Sequence, residues 1–153
     1  MPRFNITIET LEIREYKAYN PLDEKKTYSG ELKLLASVSV NAEQKNIAVV
    51  MKVEAYVKSG GNSRMTPVGY IETVTVFSLV NEWKKVRVGK KQSEIDVDRD
   101  LEDFLIDVSY NSTRGLLSER GKNDLIGKVI LPVIDPADIK REGGKEREAL
   151  KRR

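Results

Sequence analysis

Apolar and polar residues alternate with a period of two along most of the first half of the chain, and this alternation predicts strands. In residues 3–15, Phe4, Ile6 and Ile8 share one parity while Leu11 and Ile13 continue on the other, which predicts a bulge near Glu9 and Thr10. After a polar connector containing Asn20, Pro21 and Asp23, residues 31–40 place Leu32, Leu34, Ala36, Val38 and Val40 on one face, with Lys33, Ser37 and Ser39 on the other. The short polar stretch 41–46 leads into Ile47, Val49, Met51, Val53, Ala55 and Val57, so these two runs read as a long hairpin. Gly60, Gly61, Asn62 and Ser63 supply turn chemistry before a fourth run over residues 68–80. There Ile71, Thr73, Thr75, Phe77 and Leu79 lie on one face, and Tyr70, Glu72, Val74, Val76 and Ser78 on the other. Four strands in succession predict a twisted antiparallel meander. Apolar residues on both faces of the fourth predict that its second face is also covered, by this chain's helix or by another subunit.

Residues 81–93 carry Lys84, Lys85, Arg87, Lys90 and Lys91 around the single tryptophan, Trp83, and read as a connector with irregular or short extended structure. The period then changes. Leu101, Phe104, Leu105, Val108 and Ser112 recur at three or four, with Asp98 or Asp100 available as a cap, and predict the main helix over residues 98–120. Residues 121–127 read as a polar loop, and residues 128–134 as an extended piece interrupted by Pro132. Asp135 and Pro136 predict the start of a short final helix, which Gly143 and Gly144 break. The predicted class is therefore α+β: a four-stranded antiparallel meander, a long helix backing it, an extended Leu-Pro segment and a short C-terminal helix.

A chain of 153 residues with 39% hydrophobic content fills one core, so one domain is expected over residues 1–142, with a frayed or disordered basic tail over 143–153. No apolar run approaches membrane-spanning length and the N-terminus lacks a signal peptide's apolar stretch, which places the expected location in the cytoplasm. The total charge is +3, but residues 140–153 hold seven Lys or Arg against three Glu, a local +4 that leaves the rest at −1. Basicity belongs to the tail.

The chain has neither Cys nor His. Their absence removes the thiol nucleophile, the thiolate metal site and the commonest general base, and it points to a protein that is not an enzyme and needs no cofactor. The carboxylates Asp96, Asp98, Asp100, Glu102 and Asp103 lack the glycine turn and the spaced bidentate Glu of a calcium loop, and read as a dipole-favoured helix start rather than a metal site. Ser112, Thr113 and Arg114 could offer a nucleophile and an anion clamp, but no base accompanies them. Arg114 followed by Gly115 reads instead as a place where another backbone approaches closely. Trp83 with the basic connector and tail could track a nucleic-acid backbone, although Glu82, Glu94 and Asp96 dilute that field.

The order of these elements, with Arg114-Gly115 near the end of the long helix and Leu131-Pro132 in the extended segment, resembles the SecB-type export chaperones and their SecB-like relatives. The run Val76, Phe77, Ser78, Leu79 is similar to that family's strand ending in Ile-Phe. The resemblance covers roughly residues 3–142. It implies an ATP-independent holdase, a homo-oligomeric dimer or tetramer that binds non-native polypeptides, or one dedicated client, along apolar grooves. Within it Tyr70, Val74, Val76, Phe77, Trp83, Leu131 and Val133 are the expected polypeptide contacts, and Arg114, Gly115 and Pro132 carry the structural motif. The nearly neutral domain departs from the acidic surface that suits export chaperones to a translocation motor, so that partner is not carried over. The competing expectations are an adaptor subunit for one fixed protein partner and, behind it, a nucleic-acid-binding protein.

Overall fold

A computed structural model describes residues 4–19, 28–59, 65–89, 95–128 and 131–142. Four long strands, β1 (Thr7–Ala18), β2 (Tyr28–Asn41), β3 (Asn46–Ser59) and β4 (Thr66–Ser78), form an antiparallel sheet, and one long helix, α1 (Arg99–Arg120), packs on one face. Between them a 3₁₀ turn at Val80–Lys85 carries Trp83, and β5 (Val86–Arg87) pairs with β6 (Asp96–Val97). The first part of the predicted connector is thus a 3₁₀ turn followed by a two-residue extended piece, and its residues 90–93 lie outside the described residues.

β2, β3 and β4 form the expected meander. β1 does not extend it on the β2 side: the order is β1-β4-β3-β2, a Greek-key arrangement in which β1 lies beside β4. Reaching β2 from β1 means crossing three strand spacings, about 14 Å, and the nine residues between Ala18 and Tyr28 reach up to about 30 Å. The linker permits either neighbour, so alternation alone could not decide between them.

The β1–β4 register shifts between Ile8 and Thr10, where the change of parity predicts a bulge, and again between Ile13 and Glu15. Two slips keep Ile8, Leu11, Ile13 and Tyr16 in register with Phe77, Thr75, Thr73 and Ile71, on the helix side of the sheet. At the tight β2–β3 turn, the Asn41 side chain accepts from the Gln44 N–H at 3.1 Å and Lys45 takes a left-handed φ of 53°.

The core lies between α1 and the sheet face bearing Ile47, Val49, Met51 and Val53 of β3 and Ile71 and Phe77 of β4, all buried. From α1 it receives Leu101, Leu105, Ile106, Tyr110 and Leu117 at helical spacing. Where α1 crosses β4 the contacts are small and polar. The Thr73 and Thr113 hydroxyls meet at 2.7 Å, and Thr113 and Ser109 bond back to the Ser109 and Leu105 carbonyls. Short side chains let the helix lie close to the sheet.

The predicted final helix is short indeed: a single 3₁₀ turn at Pro136–Asp138, capped by Asp135, whose side chain accepts from the Ala137 N–H at 3.0 Å. The chain then becomes a strand, β7 (Lys140–Arg141), parallel to β2. Ile139 is buried, the Glu142 N–H reaches the Ala36 carbonyl at 2.9 Å, and Arg141 pairs with Glu102 at 3.4 Å and with Asp103. Those contacts outweigh continuing the helix. They also engage two members of the acidic run in an internal ion pair.

Tyr16 ties β1 to the loop after α1. Its hydroxyl donates to Asp124 at 2.6 Å and the Arg120 guanidinium lies 4.4 Å from its ring centroid. Burial and then the Asp124 bond push its pKa from 10.0 up to about 12, against the opposing Arg120 charge. A raised folded pKa stabilises the fold below about pH 10 and loses that contribution as pH climbs towards about 12. In thermal melts across that range, Tyr16→Phe is expected to show a shallower alkaline decline in Tm than the parent; parallel declines would refute the linkage.

Candidate functional site

The sheet face turned away from α1 divides into two halves. Towards the ends of β3 and β4 remote from the β2–β3 turn, its rows are charged and aromatic, and they satisfy one another. Lys52 pairs with Glu54 at 3.2 Å; the Tyr56 hydroxyl donates to Glu54 at 2.7 Å, holding that carboxyl below the usual range; and Lys33 lies 5.0 Å from the Tyr56 ring centroid. Tyr70 donates to Glu15, which raises its pKa to about 12, and its ring sits near Lys17 and Lys52, at 5.9 and 4.9 Å.

The other half is apolar along its middle, on β3 and β4. Pairing puts Val76 between Thr10 and Ala48, and Val74 between Glu12 and Val50, with Ser39 and Ser37 of β2 completing the two rows. Thr10 and Ala48, both small, flank Val76, and Glu12 and Val50 flank Val74, so the valines form a shallow trough. At the hairpin end the trough deepens into a recess of about 860 Å³, walled by Val76 and Ala48 on the sheet and by Val88, Gly89 and Ile95 of the connector. Glu9, on the β1 bulge, and Glu43, in the β2–β3 turn, also line it. Val88 is 47% exposed beside this recess, whose walls also carry the polar side chains of Ser39, Asn41, Gln44 and Asn46.

A second cleft, of about 470 Å³, lies between the C-terminal half of α1 and the segment that follows. Arg114, Gly115 and Leu131 line it together with Asn111, Leu117 and Lys128. Arg114 donates to Asn111 at 2.9 Å, and a methyl group added at Gly115 would meet nothing within 4 Å. Among the described residues, then, no backbone approaches Gly115, and that position opens to the cleft.

The residues singled out in the sequence fall in six places. Tyr70, Val74 and Val76 share the outer sheet face, Tyr70 in its polar half. Phe77 points to the opposite face and is buried beneath α1. Trp83 is half-buried against the core from the 3₁₀ turn. Leu131 is buried at the second cleft, whereas Val133 is 87% exposed. Pro132 presents its carbonyl to the Tyr110 hydroxyl at 2.7 Å, fastening the Leu-Pro segment to α1. Ala48, Val50, Val88 and Ile95 join the trough and recess without having been singled out. The alternation of β3 did carry a signal for the first two, since Ala48 and Val50 leave that strand apolar on both faces.

Among the described residues no group of carboxylates is arranged to hold a metal ion, and no helix is long and apolar enough to cross a membrane.

No family model and no curated protein sequence matches this chain. Among solved structures it is similar to a SecB-like chaperone of Mycobacterium tuberculosis in complex with a peptide from the HigA1 antitoxin. The TM-score is 0.58 at 10% identity, over 84% of this chain and 90% of that one. A protein of unknown function from Streptococcus agalactiae aligns over 88% of this chain and 98% of its own at 13% identity, but its TM-score of 0.32 carries no structural argument. The first likeness extends over nearly the whole of both chains, and what this protein shares with it is the SecB-like fold.

Proposed function

We propose that this protein is an ATP-independent holdase that binds non-native polypeptide along the outer sheet trough and its recess. The observation that carries this reading is the apolar half of that face, where Val74, Val76, Ala48 and Val50 have no counterpart to the self-paired charges of the other half. Burying such a surface contributes about 25 cal/mol per Å² whatever the sequence of the client, and pairing along an open strand edge is equally tolerant. The open edge of β1, with Ile8 and Leu11 45% and 39% exposed, supports a homo-oligomer. The shared fold adds support, since the similar chaperone is in complex with a peptide from an antitoxin. A dedicated protein client is within the same reading. Lack of Cys and His supports a non-enzymatic role, and a cytoplasmic location fits it. The carboxylates at the recess speak against nucleic acid there.

Light scattering of the purified protein, alone and with an equimolar reduced and unfolded polypeptide, tests the reading. An oligomer that forms a soluble complex with the unfolded chain and ignores its native form is the expected result. A monomer that leaves aggregation of the unfolded chain unchanged would overturn it.

A further inference from the structure

By helix propensity alone, Gly115 is a poor residue for its position. It lies in the interior of α1, where glycine is the weakest helix former after proline. The usual compensation is a neighbouring element that comes too close for a side chain, yet among the described residues a methyl group added at Gly115 meets nothing within 4 Å. The space that the missing side chain leaves belongs to the second cleft.

The side chain before it is held in place and only partly used. Arg114 is half-buried, and its guanidinium donates to the Asn111 Oδ1 at 2.9 Å. Asn111 is itself oriented, because its amide donates to the Asp107 carbonyl at 2.9 Å and to the Asp107 carboxylate at 3.2 Å. Among the described residues Arg114 makes no ion pair and no carboxylate lines the cleft. Val129 and Ile130, which join Lys128 to Leu131, carry no charge either. A guanidinium bonded once keeps further N–H donors free, in a planar fork that matches a carboxylate. Beside it Leu117 and Leu131, both buried, give the cleft an apolar wall, and Ser118, one turn beyond Arg114, adds a hydroxyl.

We infer that this cleft holds the C-terminal residue of a polypeptide, with its α-carboxylate on Arg114, its apolar side chain against Leu117 and Leu131, and its backbone over Gly115. A terminal residue carries carboxylate and side chain on one Cα, which suits a cation set beside an apolar wall. An Asp or Glu side chain brings the charge at its own tip and leaves the leucines uncovered. Close approach of a ligand backbone is a use to which glycine is suited, and it accounts for Gly115 where the chain's own packing does not. The cleft is apart from the sheet trough, so this site can stand if the holdase reading fails, and the reverse.

The test is an NMR titration of the full, isotope-labelled chain at neutral pH with a short peptide ending in leucine, made with a free α-carboxylate and as the C-terminal amide. With the free acid, the backbone signals of Arg114, Gly115, Ser118 and Leu131 are expected to shift while those of Ala48 and Val76 stay. The amide is expected to bind about tenfold more weakly or worse, as loss of a charge-assisted pair requires. Arg114→Gln should lose the same factor, and Arg114→Lys, which keeps the charge without the fork, part of it. Gly115→Ala should raise Tm by about 2 °C through helix propensity and still weaken the free acid severalfold, a divergence that a purely structural glycine does not produce. Equal affinity for acid and amide overturns the inference. So does an amidated peptide carrying one internal glutamate that binds as well as the free acid, since it assigns the site to side-chain carboxylates. Shifts confined to Ala48 and Val76 overturn it by placing the peptide in the trough, and shifts at Gly115 and Ser118 on concentrating the protein alone overturn it by giving the cleft to a second copy.

Discussion

Gly127→Ala is expected to lower the stability of the chain by about 3–5 kcal/mol, at the upper end of what single substitutions do. A methyl group there would lie 1.8 Å from the Gly121 carbonyl oxygen and 2.3 Å from its carbon, so backbone must move. Neither side has room to yield. Gly121 closes α1 through its N–H to the Leu117 carbonyl at 2.8 Å, and its own carbonyl accepts from the Asp124 N–H at 2.9 Å. Displacing it frees the helix end, shifts the Asp124 acceptor away from Tyr16 and lifts the fully buried Ile126 from the core. For a chain of this size such a loss corresponds to a fall in Tm of roughly 10 °C. A calorimetric scan showing a shift of only a degree or two would mean that the loop moves freely, and that the close packing of Gly121 on Gly127 is not what holds it.

Val76→Glu is expected to weaken binding of an unfolded client by more than about tenfold while costing the fold at most about 1 kcal/mol. Val76 is half-buried on the outer face, between Thr10 and Ala48, so a carboxylate placed there still reaches water in the free protein. Once a client covers the trough, the variant loses about 1.5 kcal/mol or more of apolar burial, and the new charge must also be desolvated close to Glu9 and Glu43. Each 1.4 kcal/mol is a factor of ten. Val80→Glu, at a position 59% exposed on the 3₁₀ turn, serves as the control and should leave affinity unchanged. Titration of each variant with a fluorescent unfolded chain reads both effects. Equal affinities for parent and Val76→Glu would remove the outer face from the client site and direct attention to the cleft at Arg114 and Gly115.

Much of this architecture was legible before any coordinates. The period of two located the four strands, the change to a period near 3.6 located α1 to within a residue, and the parity change between Ile8 and Leu11 located one bulge. The second slip, at Arg14, is marked only by a single further change of parity, from Ile13 to Tyr16 at the end of the run, too little for periodicity to register. The candidate site was legible only in part. Two-sided apolarity in β4 pointed to Val74 and Val76, but the aromatic signal of Phe77 belonged to the core, and Trp83 to the underside of the connector. Side-chain type says how much a residue gains from burial and not which surface buries it.

What the sequence determined by itself is local: the periodicities, the Asp135–Pro136 turn start, the polar β2–β3 turn and the absence of the two most reactive side chains. Each depends on residues a few positions apart, whose geometry is set by backbone sterics and by which side chains repel water. The placement of β1 beside β4, the capture of residues 140–141 as a strand on β2, and the division of the outer face into a self-paired polar half and an open apolar half were decided only by the tertiary structure. The first two join residues about 50 to 105 positions apart, from Ala18 beside Gly69 to Leu35 beside Lys140. Linkers long enough to allow several arrangements leave that choice to the packing of α1 on one face of the sheet, which buries one set of alternating side chains and leaves the other facing outwards.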